Sequence, residues 1–219
     1  GIEEDGRYVT ESRLKKMLSH EYTLIEQRLK RDKQPNKMFF SYANTVATID
    51  FAKQFKGHGW VGIRYQIEPD EDYNEIVIHI RFKETDVKLQ QETLGILGVN
   101  LIYGAFYKYN DSKKLLRYLY DHLDKDQLEI DTINFSGPRF ADVDNRLMSL
   151  QLVKNGMTDA VMFNPEGKNI LPAAILYKKN ILALRGSFRP VTSVNIDMFK
   201  QSYELFIREN KVDKENTLV

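Results

Sequence analysis

Val61-Gly62-Ile63-Arg64-Tyr65-Gln66-Ile67 and Ile76-Val77-Ile78-His79-Ile80-Arg81-Phe82 share one pattern. Val61, Ile63, Tyr65 and Ile67 take alternate positions in the first stretch, and Ile76, Ile78, Ile80 and Phe82 do so in the second. A period of two places such side chains on one face of a strand. The acidic segment Pro69 to Asp72 between them is a turn, so the two strands are expected to pair antiparallel. Upstream, the run Met38 to Ile49 is rich in Phe, Tyr, Val and Thr, and its first half is expected to be β. Further upstream, Leu14, Met17, Leu18, Leu24, Ile25 and Leu29 recur at intervals of three and four, predicting a helix over Thr10 to Lys30 with one buried stripe. Asp32 to Asn36, containing Pro35, ends it.

Downstream of Lys83 the pattern changes to helical periods alternating with short apolar runs, as in strands joined by helices. Thr85 is expected to cap a helix to about Leu97. Leu101 to Tyr107 then reads as a strand, with a longer helix through the glycines as the alternative. Ser112 to Leu123 is a helix, Leu128 to Phe135 a strand, Asp142 to Lys154 a helix closed by Asn155-Gly156, and Ala160 to Phe163 a fully buried strand. Ile181 to Arg185 is a further strand, and a last helix spans roughly Ile196 to Arg208. The expected fold class is α+β, with a mixed sheet that is antiparallel in its early strands and helix-connected in its later ones. Leu128–Phe135 and Ala160–Phe163 are expected to lie parallel in one sheet. The strand, helix and apolar run of 76–107 can be laid over those of 128–163, and a shift of 56 residues matches Asp86 with Asp142 and Leu94 with Leu150, which suggests an internal duplication of a β-α-β unit.

These elements suggest an N-terminal helix over 1–35, a mixed α/β domain over 36–210 and a polar tail over 211–219. The start at Gly1-Ile2, without an initiator Met, suggests a part excised from a longer protein. Thirty-two basic residues against 31 acidic ones give a net charge of +1, so no global field draws in nucleic acid or an anionic membrane. Zero cysteines exclude disulfides, thiolate nucleophiles and Cys-type metal sites, and suit a cytoplasmic setting. No transmembrane segment or signal peptide is expected, because the longest apolar stretches are short and broken by Gly and Asn.

The strongest chemical signal is the acid-free stretch Gly167 to Ile196, which carries Lys168, Lys178, Lys179, Arg185 and Arg189. Arg185 and Arg189 flank Gly186-Ser187 ahead of a helix, so two guanidinium groups and free amides can converge on a phosphate or carboxylate. The plainer alternative is a solvated surface. The second signal is the loop Ser136 to Arg146, which follows a strand, where α/β sheets bind ligands. There Arg139, Asn145 and Arg146 can hold a polar substrate and Asp144 can act as a base or magnesium ligand, whereas a helix start with Asp142 as its cap accounts for the acids alone. The four histidines lack metal-ligand spacing. His58, between glycines and near Trp60, and His79, on the less apolar face of its strand, are candidates for a pocket or for packing. Gln90, Gln91 and Glu92 suggest a solvated helix face.

Gly57-His58-Gly59-Trp60-Val61-Gly62-Ile63-Arg64, Leu89 to Ile102, Val143 to Leu147, and Leu176 to Lys179 with Arg185 to Thr192 resemble an uncharacterised bacterial protein family. Its members often carry the label nicotinate-nucleotide adenylyltransferase. The resemblance implies a bacterial cytosolic setting and flanking domains. It implies no mechanism, because the paired His-x-Gly-His of such enzymes is absent and only Gly57-His58-Gly59 stands here. The residues themselves suggest a module that binds a small anionic ligand, a nucleotide or phosphorylated metabolite, through Arg139, Asn145, Arg146, Lys178, Lys179, Arg185 and Arg189, within a larger enzyme. No cofactor motif is present. The alternative is a structural or self-association domain whose aromatic strands form a homo-oligomeric interface.

Overall fold

A computed structural model describes residues 9–31, 36–49 and 56–219. The chain falls into two compact units, 1–169 and 170–219. Among the described residues, the first unit has α1 (Glu11–Arg31) followed by β1 (Phe40–Ala47), β2 (His58–Tyr65) and β3 (Asn74–Phe82). Then come α2 (Val87–Tyr107), α3 (Ser112–Tyr118), β4 (Leu128–Ser136), a 3-10 turn at Pro138–Phe140 and α4 (Asn145–Lys154). β5 (Met162–Phe163) and β6 (Asn169–Ile170) form a two-residue ribbon.

The main sheet has the order β1-β2-β3-β4, and every neighbouring pair is antiparallel. The alternation that predicts β2 and β3 is realised: Val61, Ile63, Tyr65, Ile76, Ile78, Ile80 and Phe82 are buried in one core with Leu97, Leu101 and Ala105 of α2 and Leu115 and Leu116 of α3. Burial of that face is the main favourable term for the unit, at roughly 25 cal/mol per Å² of apolar surface. α1 lies on the opposite face. Gly62 makes the close approach there: a Cβ on it would come within 2.9 Å of Leu18 and 3.0 Å of Leu14. Leu14 and Leu18 are fully buried, and Ser41 Oγ donates to the carbonyl of Leu18 at 2.9 Å.

Several expectations are corrected. The α+β class holds, but the main sheet is antiparallel rather than mixed. β4 returns beside β3 after the two-helix excursion α2–α3, a connection that leaves strand direction unconstrained. Leu101 to Tyr107 is the second half of α2 and not a strand. Asp86, not Thr85, caps this helix, accepting from the amides of Lys88 and Leu89 at 2.9 and 3.0 Å. With no strand there, 76–107 and 128–163 do not repeat a β-α-β unit. Nor do Leu128–Phe135 and Ala160–Phe163 lie parallel in one sheet, since β5 belongs to a separate ribbon, is only two residues long and is half-buried. Asp144, not Asp142, caps α4. Gln90 is fully buried rather than solvated, and its amide bridges the carbonyl of Glu84 at 2.8 Å and the N–H of Ile49 at 2.9 Å. The end expected for the first helix at Asp32 to Asn36 falls largely outside the described residues.

The second unit contains α5 (Pro172–Leu176), β7 (Asn180–Ile181), α6 (Ser193–Phe206), a 3-10 turn at Lys214–Asn216 and β8 (Thr217–Leu218). β8 pairs with β7 in parallel. Of the strand expected over Ile181 to Arg185, only Ile181 belongs to β7. Thr192 caps α6 in a reciprocal box with Asn195. No described helix is long and apolar enough to cross a membrane.

Candidate functional site

Of the residues expected to bind an anion, Arg139, Asn145 and Arg146 stand in the first unit and Lys178, Lys179, Arg185 and Arg189 in the second. Arg139 is engaged by two carboxylates: its Nε donates to Glu71 Oε1 at 2.6 Å and its outer nitrogen lies 2.9 Å from Glu68 Oε1. Those hydrogen bonds raise the guanidinium pKa above its ordinary value. Asn145 has a backbone partner. Its Oδ1 accepts from the N–H of Phe135 at 2.8 Å and its Nδ2 donates to the Phe135 carbonyl at 3.0 Å. β4 is the sheet's edge, and this amide occupies pairing groups that another strand would otherwise seek. The carbonyl of Met157 and the side chain of Asn169 occupy others, at Ile130 and Ile133.

Arg146 folds back on Asp144, with its outer nitrogen 3.1 Å from Oδ2. The guanidinium and the Arg146 amide hold the Asp144 carboxyl below the usual range. In the second unit, Lys179 Nζ donates to Asn216 Oδ1 at 2.6 Å and Lys178 Nζ lies 5.0 Å from the centre of the Tyr177 ring. Arg185 and Arg189 are exposed, and among the described residues neither forms an ion pair.

A cleft of about 470 Å³ opens on the α1 face of the sheet. Val77 of β3 and Asn134 of β4 form its floor, neighbours in the sheet register. Lys15 of α1, Arg146 at the start of α4 and Lys168 of the following turn supply cations on its walls. Glu11 and Asp144 already pair with two of them, Lys15 at 2.5 Å and Arg146, while Glu75 is held by Arg64 at 2.7 Å in a largely buried pair beneath the Tyr73 ring. Lys168 has no carboxylate partner among the described residues, and Glu166 also lines the cleft. Asn169 closes one wall. Its Nδ2 donates to Ser149 Oγ at 2.6 Å, but its buried Oδ1 has no hydrogen-bond donor. An unpaired buried acceptor costs about 1–3 kcal/mol, which a donor on a bound molecule would recover.

A second cluster lies where β2 begins and β3 ends. His79 Nδ1 is 2.7 Å from Asp131 Oδ1, His79 Nε2 is 3.2 Å from His58 Nδ1, and Arg81 Nε is 2.9 Å from Asp131 Oδ2. Trp60, across the strand pair from His79, packs its ring 4.8 Å from the imidazole. A bulge opposite His79 and Ile80 makes Asp131 the extra residue of β4 and turns its carboxylate beneath two β3 side chains. His58 and His79 are both legible as candidates in the sequence. Asp131 is not, because only the register and the bulge bring it to them. No three-residue metal-ligand group occurs among the described residues. No family model, curated protein or solved structure matches the chain.

Proposed function

We propose that the first unit is a binding module for a small anionic, hydroxyl-bearing ligand of the nucleotide or sugar-phosphate type, held in the cleft between α1, the end of β4 and the Glu166–Asn169 turn. The observation that carries this reading is the pairing of Lys168, a cation with no carboxylate partner among the described residues, with the unpartnered Asn169 Oδ1 on adjacent residues of one cleft wall. Lys168 and Arg146 supply charge for a phosphate, Arg146 by exchanging Asp144 for the ligand. Asn169 Oδ1 and Glu75 supply acceptors for hydroxyl groups. A cleft of alternating sign suits a ligand carrying both a charge and donors better than a bare anion. Asn145 builds the wall rather than touching the ligand.

A thermal-shift screen against nucleotides and sugar phosphates tests the proposal. A ligand at a hundred times its Kd stabilises the fold by about 2.7 kcal/mol. Lys168→Ala and Asn169→Ala are each expected to abolish the shift. Absence of any shift across the screen, or shifts that survive both substitutions, overturns the cleft assignment.

Self-association is the second reading, and one observation favours it. Val194, Met198 and Leu205 of α6 are exposed apolar side chains. Of the strand aromatics, Trp60, Tyr65, Phe82 and Phe135 are buried within the first unit, while Phe40 of the edge strand β1 is exposed. Light scattering across a concentration series separates this reading, which requires the mass to rise with concentration.

A further inference from the structure

We propose that the open edge of β1 is a self-association surface, on which β1 of a second copy adds as an antiparallel strand and joins the two four-stranded sheets into one. This rests on the self-association reading and moves its interface from α6 to the first unit. It is independent of the ligand cleft.

Backbone parity identifies the edge. The N–H of Gln66 donates to the Phe39 carbonyl at 3.2 Å, and the register runs on from Phe40 opposite Tyr65 to Ala47 opposite His58 without a bulge. Bonded and non-bonded pairs alternate along an antiparallel ladder. Ser41, Ala43, Thr45 and Ala47 therefore turn their backbone groups to β2, while Phe40, Tyr42, Asn44 and Val46 turn theirs outward. Those outward groups make no backbone hydrogen bond among the described residues. A groove of about 520 Å³ lies beside them, between Met17 and His20 of α1 and Tyr42, Ala43 and Asn44 of β1. Sheet edges are commonly guarded by Lys, Pro, a bulge or shortness. β1 has eight residues and no bulge, and neither a charged residue nor a proline occurs from Met38 to Ile49. The opposite edge is covered, since Asn145, Asn169 and the Met157 carbonyl occupy groups of β4.

The occupant that fits is a second copy of the same strand. Outward residues must face outward residues, and one two-fold arrangement pairs all of them. Phe40 then faces Val46 of the second copy, Tyr42 faces its Asn44, and Ala43 faces Ala43 at the axis. Four residues with two groups each on either copy form eight inter-strand hydrogen bonds, close to the roughly ten of a standard protein interface. Phe40, 40% exposed, gains a β-branched cross-strand neighbour in Val46. Ala43 lies opposite Gly62, on the face against α1, and its small side chain suits a non-bonded pair, where the strands come closest. A charged strand repels its own copy across a two-fold axis, and this strand is uncharged. The contact is isologous, so it closes at a dimer.

The full chain has no cysteine, which permits a direct test. Ala43→Cys sets two thiols opposite each other at the axis, at a Cα separation of about 4.5 Å that a disulfide can span. Oxidised glutathione is expected to convert this variant to a covalent dimer. Thr48→Cys, whose two copies stand at opposite ends of the paired strands, is expected to give at least tenfold less. Amide exchange at Tyr42 and Asn44 is expected to slow at least tenfold from dilute to concentrated wild-type chain, as light scattering shows the mass doubling. Asn44→Pro removes an outward donor, leaves the bonds to β2 and is expected to remain monomeric. Phe40→Lys, at an exposed side chain, serves if that variant does not fold. A wild-type chain that stays monomeric at every concentration, its edge left to a strand of some other protein, overturns the proposal and the self-association reading together. A mass that doubles while these amides stay unprotected and Asn44→Pro still dimerises overturns the proposal alone and leaves α6 as the interface. Protection already complete in the most dilute solution, where the chain covers its own edge, also overturns it, as does an Ala43→Cys variant that fails to cross-link.

Discussion

Arg139 Nε lies 2.6 Å from Glu71 Oε1, an ion pair that joins the loop after β4 to the turn between β2 and β3. Glu71 is also a local fastener, because its other oxygen accepts from the amides of Ile67 and Glu68, each at 3.2 Å. Desolvation pushes this carboxyl upward, and the hydrogen bonds from Arg139, Ile67 and Glu68 outweigh it, leaving Glu71 below its ordinary pKa. A carboxylate depressed in the folded state adds stability above its unfolded pKa and loses it as pH falls through the folded value. Arg139→Gln is therefore expected to destabilise the chain near neutral pH. The gap from wild type should close as pH falls below roughly 4, where glutamates begin to protonate. Urea unfolding midpoints between pH 3 and 8 check this, and a gap that stays constant with pH contradicts it.

Gly137 has φ +105° and ψ 175°, a region open in practice to glycine alone. An added Cβ would also lie 2.6 Å from the Tyr73 carbonyl oxygen and 2.7 Å from Asn74 Cα, both backbone atoms that cannot rotate away. Gly137→Ala is expected to lower stability by about 1–3 kcal/mol from backbone strain, with the steric contact adding to it. Differential scanning calorimetry should show a fall of several degrees. Gly95→Ala, at a helical glycine with open space around its Cβ, should leave the midpoint unchanged or raised.

The sequence yields α1 and β1 to β4 to within a few residues, because a helical stripe, a strand alternation or a run of β-branched and aromatic residues marks each of them locally. It misleads at 101–107, where the strand is preferred to the longer helix that is found, because α2 spreads small and polar residues such as Gly98, Asn100 and Gly104 along its buried side. Asn100 is buried there because its Nδ2 donates to the carbonyls of Leu119 and Asp121 at 3.1 and 2.6 Å, a long-range tie that no local period reveals. Without a clear amphipathic stripe, Leu101 to Tyr107 passes for a strand, and the apparent repeat follows from that one misreading. In the candidate site, Arg146 and Lys168 are visible as charges. The cleft that joins them to Asn169 depends on where α1 crosses the sheet, and nothing near residue 146 or 168 encodes that.

Asn145 and Arg146 are adjacent, yet opposite effects are expected of them. Asn145→Ala strips both partners from the amide and carbonyl of Phe135, a residue only 3% exposed, and should cost about 1–3 kcal/mol. Arg146→Ala removes an exposed pair with Asp144 and should leave the unfolding midpoint where it is. Asn145→Asp keeps the acceptor for the Phe135 N–H but places a carboxylate against its carbonyl, so it should fall between wild type and the alanine variant. Equilibrium urea unfolding measures all three. Equal losses at 145 and 146 would mean that the edge of β4 is not what Asn145 protects.

The last expectation concerns the second unit. None of its fifty residues is buried, whereas the first unit holds the whole cluster from Val61 to Met157. Stability scales with apolar burial, and a chain of about 50 residues without a core cannot offset the entropy of ordering its backbone. The contacts within 170–219 are mainly capping and side-chain hydrogen bonds, such as Asn216 Nδ2 to the Lys178 carbonyl at 2.7 Å, each contributing about 1 kcal/mol or less. A chain ending at Asn169 is therefore expected to unfold cooperatively, with a midpoint close to that of the full chain. The isolated segment 170–219 should show little helix by circular dichroism. If the truncated chain instead melts without a cooperative transition, the core described for the first unit is not sufficient to hold it, and burial supplied by the second unit must be counted with it.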